Sequence, residues 1–221
     1  MLTLLRSDIL AGRMQPGERL KFPDLCERYE ASVGVTREAL ISLVGEGLVR
    51  SENHQGYVVT PLSEHDLGDL TAARLEIESL VFRQSVVDGD VEWEARAVSA
   101  HHVLSRTPLA DADGTGRMSD EWARVHTEFH DALLSGCPNR RLLETARALR
   151  READLYQRWS VSLGQEPERD IPAEHRGLLD AAVSRDADLA VERLREHISH
   201  TRKLLSDYRK AHVERRAPKG S

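Results

Sequence analysis

The amino-acid sequence predicts a mainly α-helical protein with one β-hairpin near its N-terminus. Apolar residues recur every three or four positions over most of the 221 residues, which is the spacing of amphipathic helices. Three Phe, three Trp and four Tyr are few for a β-sandwich but ordinary for a helical protein. The hairpin pattern, two short apolar runs around a polar loop that contains glycine, occurs before residue 60 and is not found after it.

The first 62 residues contain three short helical patterns and this hairpin. The helices are expected over about 2–11, from Pro23 to about residue 29, and over 35–44, and the hairpin strands over 48–51 and 57–60. On the third helix Val35, Ala39, Leu40, Leu43 and Val44 fit one buried face. Three short helices followed by a hairpin predict a winged helix-turn-helix domain over residues 1–62.

Residues 63–212 predict a second domain, an all-α helical bundle, and residues 213–221 a flexible tail. Its helices are expected over about 64–87, 91–104, 119–134, 139–163, 172–184 and 187–210, separated by loops at 107–118 and 164–170.

Composition limits the classes of partner. The formal net charge is -6, but residues 1–60 hold seven Lys and Arg against eight Asp and Glu, so a local basic face for nucleic acid remains possible. No stretch approaches the roughly 20 apolar residues of a membrane span, and the N-terminus meets a charge too early for a signal peptide. We therefore expect a cytoplasmic protein without a membrane partner.

Cys26 and Cys137 are isolated, which favours small buried side chains over a disulfide.

The most informative stretch of the second domain contains His126 and His130. Residues four apart share a helix face, and two imidazoles can supply half of a divalent metal site. Ordinary core or surface histidines are the alternative for such a pair. The zinc-protease pattern His-Glu-x-x-His is not met, because Thr127 follows the first histidine and Glu128 points away from the pair. The sequence therefore predicts no enzyme.

Four blocks of the first domain, in order, resemble the GntR family of bacterial transcription regulators: Pro16-Gly17-Glu18-Arg19-Leu20, Arg37-Glu38-Ala39-Leu40, Gly45-Glu46-Gly47-Leu48-Val49 and Gly56-Tyr57-Val58-Val59. The resemblance implies a homodimer that binds a palindromic double-stranded DNA operator. Arg37 and Thr36, which open the presumed recognition helix, are the expected DNA contacts. Ser32 is expected either to bond a phosphate or to cap the helix, and His54 and Gln55 to enter a minor groove or to form a solvated turn.

The second domain resembles the helical ligand-binding domain of the FadR-like GntR branch, called FCD, through Phe129-His130, Asn139 to Leu142, Glu174-His175-Arg176 and Arg195-Glu196-His197-Ile198. In that family an Asp and three His commonly hold a metal, and His130, His175 and His197 match the three histidines. This chain has His126 where the family has Asp.

Four imidazoles would leave the metal charge uncompensated. That set favours Zn, or alternatively Ni, over Mn or Mg, and should attract a small carboxylic acid as effector. Either His126 is the fourth ligand or it stands aside for effector oxygens. Arg74 could grip such a carboxylate or pair with Glu78, and Asn139 could touch the effector or cap its helix.

The combined prediction is a DNA-binding regulator whose operator binding depends on a carboxylate effector at a metal site. The alternative is a metal-dependent enzyme or a metabolite-binding protein with a vestigial DNA-binding domain.

Overall fold

A computed structural model describes residues 1–52, 56–61, 63–110, 118–163 and 169–213 of the chain. The chain folds into two compact units, the first Met1–Ser63 and the second beginning at Glu64. The expected tail, except for its first residue, lies outside the described residues. None of the described helices is both long and apolar enough to cross a membrane.

The first unit is a winged helix-turn-helix, as the sequence predicted. Its elements are α1 (Leu2–Leu10), β1 (Arg19–Leu20), α2 (Phe22–Arg28), α3 (Val33–Gly45), β2 (Val49–Glu52) and β3 (Gly56–Val59). The predicted hairpin strands are each displaced by one residue. The antiparallel sheet has the order β1-β3-β2, with Val49 opposite Val59 and Arg19 opposite Val58. The sequence did not predict β1, because two residues are too few to show an alternating pattern.

A buried carboxylate ties the helices of the first unit together. Asp8 on α1 accepts hydrogen bonds from Arg13 Nε and from the Tyr29 hydroxyl, both at 2.5 Å, and pairs with Arg28 at 2.7 Å. Asp8 is only 9% exposed, so these three donors replace most of the water that an ionised carboxylate requires. The Asp8 contacts therefore hold α1 against the end of α2.

Within its described residues the second unit is helical, with an isolated β-bridge between Ala110 and Met118 at the edges of the predicted loop. Its helices are α4 (Glu64–Asp88), α5 (Val91–Arg106), α6 (Asp120–Leu134), α7 (Arg140–Leu163), α8 (Ile171–Val183) and α9 (Ala187–Val213). Side chains of Ser119 and Asp186 accept hydrogen bonds from backbone N–H groups at the starts of α6 and α9, as expected for N-caps.

The core of the second unit lies between these helices. Helix α4 packs against α7 and α9, α5 against α6 and α8, and α8 against α9. Fully buried side chains from several helices meet there, among them Phe82, Trp93, Phe129, Leu178 and Leu194. Burial of such residues is the main favourable contribution to folding, and it brings one face each of α6, α8 and α9 to the middle of the bundle.

Candidate metal centre and nucleic-acid interface

Helix α6 places two histidines one turn apart on its buried face. His126 is 5% exposed and His130 1%, and they lie in the same apolar row as Trp122, Phe129 and Leu133, which is why the helix turns them inward. Their Nε2 atoms are 3.1 Å apart. The indole ring of Trp122 stacks on the His126 imidazole, with centroids 4.6 Å apart and planes inclined by 15°.

Helices α8 and α9 add the two other histidines that the sequence analysis grouped with this pair. His175 and His197 are also buried. One possible ligand atom from each of His126, His130, His175 and His197 lies within 4.8 Å of the others. Three helices thus bring together four imidazoles, although His126 and His197 are 71 positions apart in the sequence.

A carboxylate and an arginine orient one of these rings. Nδ1 of His197 lies 2.7 Å from Oε2 of Glu174, and Arg169 donates to both oxygens of Glu174 at 2.7 and 2.8 Å. An ionised carboxylate only accepts hydrogen bonds, so Nδ1 of His197 carries the proton and its Nε2 keeps a free lone pair. The sequence offered no local signal for this contact, since Glu174 and His197 are on different helices.

Burial keeps the four imidazoles neutral. It lowers the pKa of His126, His130 and His175 well below the usual histidine value, and the neighbouring imidazoles and arginines lower it further, although Glu174 opposes this at His175. The pKa of His197 is also lowered by burial, although Glu174 opposes this. For Glu174 itself, burial raises the pKa, but the hydrogen bonds from Arg169 and His197 outweigh it and the pKa is lowered. Neutral imidazole is the form that binds metals.

One ring nitrogen has no hydrogen-bonding partner. Among the described residues, Nε2 of His175 is fully buried and makes no hydrogen bond, which is costly for a polar atom in an apolar interior. The donor set consists of neutral imidazole nitrogens, and no carboxylate belongs to the group of four. Such nitrogen ligands, one of them without another partner, fit a divalent cation such as Zn²⁺.

At least three cavities border the four histidines, and one of about 600 Å³ reaches His197 alone among them, beside Arg169 and Glu174. Another of about 380 Å³ is lined by Trp122, His175, His101 and Leu104, among others, and its size is sufficient for a small organic molecule. A third of about 20 Å³ touches His126 and His197 together with polar side chains of α7 and α9. This smallest space holds about one water-sized group.

Arg74, predicted either to grip a carboxylate or to pair with Glu78, makes the ion pair. Its Nε lies 2.5 Å from Glu78, and Arg150 on α7 reaches the other oxygen of Glu78 at 3.0 Å. All three side chains are buried, and Nε of Arg150 has no hydrogen-bonding partner among the described residues. The positive charge of Arg150 is also close enough to lower the pKa of His130. No local signal in the sequence pointed to Arg150, because its partner Glu78 is 72 positions away.

Asn139 caps α7, one of its two predicted roles. Its Oδ1 accepts hydrogen bonds from the backbone N–H groups of Arg141 and Leu142 at 3.1 and 3.2 Å. Glu128 is exposed and pairs with Arg124 at 2.5 Å, so it turns away from the histidines as expected. Glu128 therefore does not belong to the group of four histidines.

On the DNA-binding side, α3 is rotated relative to the predicted buried face. Ala39, Leu40 and Leu43 are buried, but Val35 and Val44 are exposed, and Thr36 is completely buried instead. A threonine can lie inside because its hydroxyl donates to the carbonyl of Ser32 at 2.9 Å. The side chain of Thr36 therefore has no surface to offer DNA, and the prediction that it contacts DNA does not fit the structure.

The other expected DNA contacts are placed as follows. The Ser32 hydroxyl accepts a hydrogen bond from the Val35 N–H at 3.4 Å, which makes it the N-cap of α3. Arg37 is exposed, with its guanidinium 5.3 Å from the centroid of the Phe22 ring. His54 and Gln55 lie outside the described residues.

Comparison with known proteins gives two family matches that together span nearly the whole chain. The profile of the family described as "Bacterial regulatory proteins, gntR family" matches residues 2–59, and that of the "FCD domain" matches residues 69–200. The HTH-type transcriptional regulator BphR of Paraburkholderia xenovorans is 37% identical over 92% of this chain and 83% of its own length. The HTH-type transcriptional repressor GlaR of Escherichia coli is 36% identical over 88% of this chain and 89% of its own.

Solved structures agree on the fold. A GntR family member from Pseudomonas syringae pv. tomato aligns with a TM-score of 0.54 at 26% identity, covering 95% of this chain and 86% of that one. A putative GntR regulator from Rhodococcus aligns with a TM-score of 0.65 at 22% identity, covering 93% and 95%.

Proposed function

Since the chain belongs to the GntR family of bacterial DNA-binding transcription regulators and carries an FCD domain, we propose that a small carboxylate controls its binding to DNA. The carboxylate is bound at a divalent-metal site formed by His126, His130, His175 and His197. The observation that carries this proposal is the convergence of four buried, neutral imidazoles from three helices.

The proposed metal is zinc, with nickel as the alternative, and His126 is its fourth protein ligand. A histidine in place of the family's aspartate makes the whole donor set uncharged and nitrogen-based, which suits borderline metals better than Mg²⁺ or Mn²⁺. Glu174 supports the site by orienting His197. When bound, the metal supplies an electrophilic position for a carboxylate oxygen.

Charge favours an anionic effector. Arg74 and Arg150 carry two positive charges and Glu78 one negative charge, which leaves one positive charge on this buried group, near enough to lower the pKa of His126 and His130. Neutral imidazole ligands do not compensate the two positive charges of a divalent metal ion. The 20 Å³ space beside His126 and His197 has room for one ligating group, and the 380 Å³ cavity beside His175 and Trp122 has room for the body of a small acid.

The metal proposal is tested by elemental analysis of protein purified without a metal-affinity tag. We expect about one equivalent of zinc or nickel per chain in the wild type, and a much weaker affinity in His126→Ala. The matched control is His101→Ala, since His101 is a buried histidine that does not belong to the group of four, and it should retain the metal. Protein without metal would refute the site. Unchanged affinity in His126→Ala would refute His126 as a ligand and leave three histidines plus effector oxygens.

The regulatory proposal is tested by titrating a palindromic operator with the homodimeric protein in the presence of different small carboxylic acids. An effector changes DNA binding only if it binds the DNA-competent and incompetent states with different affinities. We expect at least one acid to shift the operator affinity of metal-loaded protein, and the same acid to have no effect on His130→Ala. An equal shift in both proteins would place the effector elsewhere.

A further inference from the structure

The recognition helix α3 exposes large apolar side chains. Val33 is 54% exposed and Ile41 57%, and Arg37 lies midway between them. The three residues follow one another at intervals of four, so they form one line along the helix. This line contains one cation and two aliphatic side chains.

The position of Val33 and Ile41 on this helix limits what they can contact in DNA. In a winged helix-turn-helix protein this helix enters the major groove, and its first turns face the base edges. Hydrogen-bonding groups of the bases gain nothing from an aliphatic side chain. The C5 methyl of thymine is the one apolar group that the major groove presents, and aliphatic side chains discriminate by contacting it.

One contact and one open space on α3 favour this role for Val33 and Ile41. The guanidinium of Arg37 lies over the Phe22 ring at the start of α2, so the charged end of Arg37 lies on the α2 side of this line of residues. A Cβ atom placed on Gly34 would meet only Ser32 Oγ, at 3.9 Å. The start of α3 therefore has open space where base edges can approach Val33 closely.

We propose that Val33 and Ile41 select thymines in the operator by contact with their C5 methyl groups. Eight residues of helix separate the two side chains, which is about 12 Å along the helix axis. They must therefore contact two different thymine positions in each half-site. Sequence selectivity of this protein is then carried largely by apolar contacts, with Arg37 as the cationic contact between them.

The experiment begins with selection of the operator from a random duplex library by the full-length protein. Each thymine of the selected site is then replaced singly by deoxyuridine, which removes the methyl group and keeps the base pair. We expect a loss of about fourfold in affinity per contacted methyl, at two positions in each half-site. The wild-type protein alone decides this step, so it does not depend on how any variant folds.

Two variants assign the contacts. Val33→Ala should become insensitive to deoxyuridine at one of the positions and Ile41→Ala at the other. Val91→Ala is the matched control because Val91 is an exposed valine of the second unit, and it should keep the full thymine preference. The proposal is overturned if no thymine can be distinguished from deoxyuridine, if the selected half-sites contain no thymine, or if the preference persists in both α3 variants.

Discussion

Replacing Glu174 by glutamine should weaken metal binding without removing a ligand. The wild-type carboxylate accepts a 2.7 Å hydrogen bond from Nδ1 of His197 and is held by two bonds from Arg169. A hydrogen bond to a charged group contributes roughly 1.5–3 kcal/mol. Because the Glu174 side chain is 26% exposed, solvent screens it partly and the lower half of this range applies. That corresponds to a metal affinity about 10- to 40-fold lower, within the range typical of groups that orient a ligand.

The assay is a competition titration of metal-free protein against a chelating dye, with tryptophan emission as a second signal because Trp122 stacks on His126. Glu196→Gln is the matched control. Glu196 precedes His197 directly, but its side chain is 59% exposed and pairs with Arg193, so its loss should leave metal affinity unchanged. Equal affinities for the wild type and Glu174→Gln would show that the carboxylate does not support the site, and an equal loss in both variants would show a general charge effect.

Three further predictions concern stability and DNA binding. Asp8→Asn should lower the unfolding free energy of the first unit by roughly 1–3 kcal/mol, because three partly buried donors lose the carboxylate that they share; thermal unfolding checks this, and the exposed Asp24→Asn should have little effect. Glu78→Gln should lower the stability of the second unit by roughly 3–5 kcal/mol, because two buried guanidinium groups would share no counter-charge; a change no larger than that of the exposed Glu76→Gln would contradict this reasoning. Arg37→Ala should weaken operator binding. If Arg37 contacts a phosphate, the slope of the logarithm of the operator association constant against the logarithm of the salt concentration should also become shallower by about 1. An unchanged slope would assign Arg37 to a base.

The two patterns read most directly from the sequence are local ones. His126 and His130 are four residues apart on an amphipathic helix, so their common buried face followed from periodicity alone. The N-cap role of Asn139 was one of its two predicted roles, because a cap depends only on the two or three residues that come next, as the caps formed by Ser119 and Asp186 also do. Family resemblance added His175 and His197, which periodicity could not have joined to the pair.

The errors arose where a neighbour distant in the sequence decides the outcome. Thr36 was expected to face DNA, but it is buried beside Met1 and beside Cys26 of α2, which are 35 and 10 positions away, while its hydroxyl donates to the carbonyl of Ser32. Burial of Thr36 turned Val35 outward. A strand of two residues, β1, exists only because β3 offers it backbone partners.

The sequence by itself determined the helical character of the chain, the winged helix-turn-helix and the pairing of His126 with His130 on one face of α6, because each depends on residues close together in the chain or on a motif. Only the tertiary structure decided that four imidazoles meet, that Glu174 orients His197, that Arg74 and Arg150 share Glu78, and that Val33 and Ile41 remain exposed. These features depend on how α3, α4, α6, α7, α8 and α9 pack, and packing is set by the fit of side chains that are far apart in the sequence.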